Sequence, residues 1–194
     1  MALPVPAAPT PPAAAAAGSP AAWRLFFALD PSPALRERLR SHAALWRWNA
    51  QARLAAPPRL HLTLVFMPAV EPRRLPELLR LGSRAAAAAR GCTLWLDRAE
   101  VWPTGIAYLA PARVPQALLE LQQGLLEGAL AVPVQADRRA WSPHVTLARR
   151  AQPAQPPASF ETLRWQLRGF SLQRSLPGGA GYEALARWRF GSPR

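Results

Sequence analysis

The 194-residue sequence contains no lysine, one cysteine and no long apolar segment. A single cysteine excludes an intrachain disulfide framework and a zinc cluster built from several cysteines. No apolar run approaches the ~20 residues that a membrane-spanning helix needs, so we expect a cytoplasmic protein with no membrane partner. Half of the residues are nevertheless apolar and eight are tryptophan, which is enough to build a substantial core.

Residues 1–22 differ from the rest of the chain, because they carry no charge and alternate proline clusters with a run of alanines. Proline removes backbone donors and blocks helix continuation, so we expect a disordered Ala/Pro-rich tail over this segment. A secretory signal is the alternative, but the segment has neither a basic start nor a leucine-rich centre. The remaining residues, 23–194, are enough for one domain made of two closely packed lobes.

All 24 basic residues are arginines, and the formal net charge is +13. The absence of lysine, together with the excess of alanine and proline, indicates a composition bias of the whole genome. The charge is physically real all the same, and a basic surface attracts phosphate polyanions. It therefore supports an anionic partner without identifying one.

Hydrophobic periodicity predicts an α+β fold, in which helices and strands alternate early and closely spaced strands follow. Closely spaced strands favour antiparallel pairing. The predicted strands span 23–30, 59–66, 92–102, 105–110, 144–148, 160–173 and 182–190, and the predicted helices span 34–48, 75–90 and 114–130.

Two short segments of the chain share one pattern. His61 and Thr63 lie two residues apart in the first segment, and His144 and Thr146 lie two residues apart in the second. Both segments lie on predicted strands after a proline-containing break, so the histidine and threonine of each share a face. The chain has only three histidines. The third, His42, lies in a predicted helix, where we expect a solvated surface position.

A pair of histidines on opposite sides of a groove has the chemistry that cleavage of a cyclic phosphodiester needs. A base must deprotonate the attacking water, and an acid must protonate the ribose oxygen that leaves. Histidine performs either task near neutral pH, because its ordinary pKa is about 6.5. Threonine hydroxyls and an arginine can hold the non-bridging phosphate oxygens. No carboxylate motif accompanies the histidines, so we expect no metal and no cofactor.

The doubled motif resembles that of the 2H phosphoesterases, and the chain is similar in particular to the bacterial and archaeal RNA 2′,3′-cyclic phosphodiesterases, also called 2′-5′ RNA ligases. The resemblance runs from about residue 24 to residue 190 and includes RLFFALDPSPALRERL, LHLTL, VWP, SPHVTLAR and the ending from Gly181 to Trp188. It implies two pseudo-symmetric lobes with antiparallel sheets around a concave groove and helices outside. It also implies metal-independent hydrolysis of RNA 2′,3′-cyclic phosphate ends to 2′-phosphates.

Matched position by position, the resemblance implies a role for five residues. His61 would donate a proton to the 3′ oxygen, and His144 would accept a proton from water. The two motifs are so alike in sequence that this assignment depends on the resemblance alone. Thr63, Thr146 and Arg149 would contact the substrate phosphate.

Two features depart from a simple match. Strict alternation along the strand puts Arg149 on the face of Val145 and Leu147, so it reaches the phosphate only if the strand ends or twists near Ala148. Residues 66–68 read Phe-Met-Pro, where family members commonly have a Phe-Leu-Gly turn. That difference implies another loop shape beside the groove.

Other functions remain open on the sequence. Relatives act with the same residues on 2′-5′ linkages or cyclic nucleotides, or catalyse the reverse ligation. A non-catalytic RNA-binding module would use the basic groove alone. Trp141, three residues before His144, is the first candidate for a base-stacking platform. No obligatory protein partner is evident, so we expect a monomer.

Overall fold

The computed structural model describes residues 22–191, and within them it contains three α-helices and ten β-strands, which confirms the predicted α+β fold. The predicted disordered tail lies outside the described residues, apart from Ala22. Within that range, no helix combines the length and apolar character that crossing a membrane requires. The helices are α1 (Pro33–Ala43), α2 (Leu75–Ala88) and α3 (Gln116–Ala131). The strands are β1 (Trp23–Leu29), β2 (Arg53–Leu54), β3 (Leu62–Val70), β4 (Cys92–Leu96), β5 (Arg98–Val101), β6 (Ala107–Ala110), β7 (Val145–Arg149), β8 (Leu163–Leu167), β9 (Gly169–Ser175) and β10 (Tyr182–Arg189).

Most of the strands join one antiparallel sheet in the order β10-β9-β1-β3-β7-β6-β5, with β2 beside β7. The sheet has two halves, because β3 and β7 are paired only at Leu62 and Val145. The first motif lies in the half that contains β3, and the second lies in the half that contains β7. Strands β4 and β8 form a separate two-stranded sheet. The two expected lobes are therefore two halves of one sheet, joined between the motifs.

Side chains alternate across the strands, so that one face of the sheet packs on helices and the other lines a groove. Phe27 of β1 lies in the core with Phe170 and Trp188. Trp188 in turn packs so closely on α2 that a Cβ added to Gly82 would lie 2.4 Å from its ring. Phe26, the neighbour of Phe27, lines the groove instead. The expected arrangement of a groove with helices outside is confirmed.

Helix α1 ends at Ala43, earlier than the predicted span of 34–48. The prediction followed the apolar period to Trp46, which is indeed buried, but the backbone leaves the helix before it. The indole of Trp48 donates to the carbonyl oxygen of Ala43 (2.9 Å) and stacks on Trp46. The backbone of Arg47 pairs with that of Gln155 in both directions (3.0 Å). Contacts with residues outside the helix, including one far along the chain, therefore end α1 at Ala43.

His42 is buried, with 4% of its surface exposed, so the expectation of a solvated position is wrong. Its Nε2 accepts a hydrogen bond from the indole nitrogen of Trp46 (3.1 Å), and its ring lies edge-on to Phe160. Burial lowers the pKa of His42, and the neutral imidazole is the form that can accept this bond. The helix pattern could not show this, because Phe160 comes from a distant part of the chain.

Strand β3 continues through Pro68 to Val70, although proline was expected to end it. Proline is tolerated there because the pairing of β3 with β1 is irregular between Trp23 and Leu25, and a bulge leaves room for a residue that donates no ladder hydrogen bond.

The predicted strands 92–102 and 160–173 each divide in two, at Asp97 and at Arg168. At both points the chain passes from the two-stranded sheet to the large sheet. The apolar pattern continues across the division, which is why periodicity did not reveal it. Gly169 permits the second passage, since an added Cβ would lie 2.1 Å from the carbonyl oxygen of Trp188. The two-residue strand β2 was not predicted.

Candidate active site

The two motifs meet where the halves of the sheet join. Leu62 of β3 pairs with Val145 of β7 in antiparallel register, and an antiparallel pair has local twofold symmetry about such a point. The histidines that precede these residues therefore approach the junction from opposite directions. A groove of about 360 Å³ lies over it and brings together all five predicted site residues: His61, Thr63, His144, Thr146 and Arg149.

A main-chain carbonyl two residues earlier orients each histidine. Nδ1 of His61 lies 2.7 Å from the carbonyl oxygen of Arg59, and Nδ1 of His144 lies 2.7 Å from that of Ser142. A carbonyl oxygen only accepts, so Nδ1 carries the hydrogen in both rings and donates it. The two Nε2 atoms are left to exchange protons with a substrate.

The ring of His61 packs against two aromatic side chains that also contact each other. Its centroid is 4.9 Å from that of Phe26 on β1 and 5.1 Å from that of Tyr182 on β10. Removal from water lowers the pKa of His61, whereas the carbonyl of Arg59 and the carboxylate of Asp30 raise it. Two nearby arginines lower it further.

The ring of His144 also packs against two aromatic side chains. Its ring centroid is 4.6 Å from that of Trp102 and 5.7 Å from that of Tyr108, both in edge-on contact. The Tyr108 hydroxyl donates to Glu100 (2.7 Å), which holds the phenol ring in place. Removal from water lowers the pKa of His144 to about 4, and nearby positive charges add to this effect.

Asp30 makes the surroundings of the two histidines unequal. Its carboxylate raises the pKa of His61, and among the described residues no carboxylate acts in this way on His144. Asp30 lies 4.0 Å from the guanidinium of Arg36, which also donates to the carbonyl oxygen of Leu60 (3.2 Å), directly before His61. A carboxylate favours the protonated form of a neighbouring imidazole. Asp30 thus distinguishes the two histidines by favouring the protonated form of His61.

A β-bulge turns Arg149 toward the groove. The ladder between β6 and β7 uses Ala148 and Thr146 but skips Leu147. Leu147 and Ala148 are consequently both buried, and Arg149 lines the groove with the histidines because the extra residue breaks the alternation. Strict alternation predicted the opposite face. The stated condition, a change in the strand near Ala148, is met.

The groove is strongly basic. Apart from the histidines, its charged lining residues are all arginines, namely Arg24, Arg53, Arg59 and Arg149. Such a lining favours an anion. The described residues contain no group of three or more histidine, cysteine, aspartate or glutamate side chains that could hold a metal ion.

An adjoining hollow of about 540 Å³ extends the groove beyond His144 and includes Trp102 and Trp141. The indole nitrogen of Trp141 donates to the carbonyl oxygen of Thr63 (2.9 Å), so the ring expected to stack on a base does lie at the site.

Sequence reasoning missed the aromatic enclosures, because their members come from strands β1, β5–β6 and β10. One feature of the sequence could have indicated these aromatic contacts. The chain has only two tyrosines, and both Tyr108 and Tyr182 lie beside a motif histidine.

Comparison with known proteins identifies relatives of this chain. A family model described as the 2′-5′ RNA ligase superfamily matches residues 27–177. The RNA 2′,3′-cyclic phosphodiesterase of Escherichia coli is 31% identical over 170 residues, which cover 85% of this chain and 95% of that protein. The RNA 2′,3′-cyclic phosphodiesterase of Thermus thermophilus is 34% identical over 145 residues, covering 68% and 72%. The crystal structure of E. coli LigT complexed with 3′-AMP has a TM-score of 0.79 and 28% identity, covering 88% of this chain and 99% of that one.

Proposed function

This chain belongs to the 2′-5′ RNA ligase superfamily, and on that premise we propose that it hydrolyses RNA 2′,3′-cyclic phosphate ends to 2′-phosphates. The observation that carries the proposal is the pairing of His61 and His144 across one basic groove, each with Nε2 free. The curated relatives in E. coli and T. thermophilus carry the name of this activity.

In the proposed mechanism, His144 is the base. Its pKa of about 4 keeps the imidazole neutral at pH 7, so Nε2 has a lone pair for a proton of the attacking water. As the water oxygen bonds to phosphorus, the bond from phosphorus to the 3′ oxygen breaks, and Nε2 of His61 donates its proton to that oxygen. His144 ends protonated and His61 ends neutral, and exchange with solvent restores both.

The remaining site residues hold the phosphate. The guanidinium of Arg149 offers charge-assisted hydrogen bonds to the non-bridging oxygens, whose negative charge increases as the water attacks. Thr63 and Thr146 line the same groove, and each hydroxyl can donate one hydrogen bond. No step requires a metal ion or a cofactor.

We propose further that the protein acts as a monomer in the cytoplasm, on RNA. The groove of a single chain already contains both histidines, both threonines and Arg149, so the proposed chemistry needs no residue from a second subunit.

The test is hydrolysis of an RNA oligonucleotide that ends in a 2′,3′-cyclic phosphate, with EDTA present. We expect the wild type to form a 2′-phosphate. The rate of hydrolysis should fall at least about 100-fold in His61→Gln and in His144→Gln, because each variant lacks a general acid or base. His42→Gln is the matched control, because it alters the histidine outside the groove, and it should retain activity while folded.

Several outcomes would contradict the proposal. Turnover preserved in either motif variant would remove that histidine from the mechanism. Turnover of 2′-5′-linked RNA or cyclic nucleotides alone would change the substrate. Salt-sensitive RNA binding that is equal in all variants, without any turnover, would indicate a non-catalytic RNA-binding module.

A further inference from the structure

A second basic cavity lies outside the catalytic groove. It has a volume of about 750 Å³ and lies between the start of α1 and strands β8, β9 and β10. Its floor is apolar and includes Trp165 and Phe170, whereas its rim carries five arginines and one aspartate, Asp30. We call it the arginine cleft, after Arg38, Arg164, Arg168, Arg187 and Arg189.

Four of the five cleft arginines lack an acidic partner. Eight of the eleven acidic residues of the chain form ion pairs with arginines. None of these pairs, among the residues that the structure describes, involves Arg164, Arg168, Arg187 or Arg189, and all four are exposed. The one acid on the rim, Asp30, is already close to Arg36. The cleft therefore concentrates four arginines without an acidic partner around one cavity.

An exposed tryptophan flanks the cleft. Trp95 of β4 pairs with Arg164 of β8, whose guanidinium carbon lies 5.9 Å from the centre of its ring. The side chain is 48% exposed. Among the exposed large apolar side chains of residues 22–191, the only other aromatic one is Tyr182, which lines the catalytic groove. A strand residue so placed contributes little to the core and offers a flat face to a base.

The combination of free arginines with an exposed indole fits single-stranded RNA. Arginines bind successive phosphates, and aromatic rings stack on bases whatever their sequence. An acidic peptide would engage the arginines but would have no base for Trp95. The cleft also lies close to the catalytic groove, because its rim residue Asp30 accepts a hydrogen bond from Gln173 (2.6 Å), which lies on β9 and pairs with the groove residue Phe26.

We propose that the arginine cleft and Trp95 bind the body of a single-stranded RNA whose cyclic end occupies the catalytic groove. Oligomeric RNA is then the preferred substrate, and a cyclic mononucleotide, which cannot reach the cleft, is bound more weakly. This inference rests on the proposed function, since it extends the same substrate beyond its last nucleotide.

The expected loss of RNA affinity follows from the number of phosphate contacts and base stacks that each variant removes. Each phosphate contact to a single strand contributes about 0.7 to the slope of log affinity against log salt concentration. Replacing three arginines should lower that slope by about 2 and weaken binding about 10- to 100-fold near 0.1 M salt. Loss of one base stack on removal of Trp95 should weaken binding about 5- to 100-fold.

The experiment compares a 2′,3′-cyclic mononucleotide with an RNA of about ten nucleotides, the order of one single-strand binding site, that carries the same end. The cleft variants are Arg168→Gln/Arg187→Gln/Arg189→Gln and Trp95→Ala. We expect both to raise KM for the RNA at least about fivefold and to leave kcat and KM for the mononucleotide unchanged. The matched control is Arg80→Gln/Arg84→Gln/Arg113→Gln, which removes the same charge from exposed positions outside the cleft and should leave KM for the RNA nearly unchanged.

A binding measurement separates this inference from the proposed function. Fluorescence anisotropy with an RNA of the same length and an ordinary 3′ hydroxyl needs no turnover. If the wild type hydrolyses neither substrate but its affinity falls in both cleft variants and not in the control, the cleft binds RNA and the proposed function is wrong. Three results would overturn the inference. They are equal affinity in the wild type and the cleft variants, an equal fall of affinity in the control, and a loss confined to the arginine variant, since no base would then stack on Trp95.

Discussion

The contact between Trp102 and His144 sets the pH range in which the proposed base is neutral. Trp102 is 3% exposed, and its ring lies edge-on against the imidazole of His144. Replacing Trp102 by leucine keeps an apolar side chain but admits water to one side of the imidazole. Because removal from water is the largest cause of the lowered pKa, we expect the pKa of His144 to rise toward its ordinary value.

The expected rise in the pKa of His144 follows from how far burial lowers that pKa in the wild type. The difference between the ordinary value of 6.5 and about 4 corresponds to about 3 kcal/mol. Tyr108 still packs against the imidazole, so we expect Trp102→Leu to reverse about half of the lowering of the pKa. At pH 5 the neutral fraction of the base then falls from about 90% to about 35%, and kcat/KM falls about 2.5-fold. At pH 8 the neutral fraction does not change.

The assay is the pH dependence of kcat/KM on an RNA 2′,3′-cyclic phosphate, with thermal unfolding recorded at each pH. Trp102→Phe is the matched control, since it keeps an aromatic ring against His144 and should leave the acidic limb of the profile near its original pH. The reasoning is refuted if folded Trp102→Leu has its acidic limb at the same pH as the wild type, because desolvation would then not be what lowers the pKa.

Three further predictions concern single side chains. Arg149→Gln should lower kcat/KM about 10- to 100-fold in steady-state assays, since a charge-assisted contact with the phosphate is lost, and a change below twofold would remove Arg149 from the site. Asp30→Asn should move the basic limb of the pH profile to lower pH and leave the acidic limb in place, because only His61 loses a carboxylate that raises its pKa; movement of both limbs would contradict this. His42→Leu should lower the free energy of unfolding in urea at pH 7 by about 1–3 kcal/mol, because the indole of Trp46 loses its acceptor. Since burial lowers the His42 pKa below 6.5, the wild type should lose stability as pH falls below that value, and the variant should lose less.

The fold class and the pair of histidines in the candidate site could be predicted from the sequence because both depend on short-range patterns. Two residues of separation on a strand are enough to put His61 beside Thr63 and His144 beside Thr146 on one face. Predictions failed where a distant segment decides the local structure. The stacked indoles and the backbone pairing of Arg47 end α1 early, and the change of partner sheet divides two strands whose apolar pattern is continuous.

The sequence by itself determined that two equivalent histidines face a basic groove, because strand period, composition and motif spacing are properties of the chain alone. Only the tertiary structure decided how the two histidines differ. Asp30 reaches His61 through the packing of β1 beside β3, and the pairing of β6 with β7 creates the bulge that aims Arg149. Both depend on contacts between segments far apart in the chain. The period of a single strand carries no information about them.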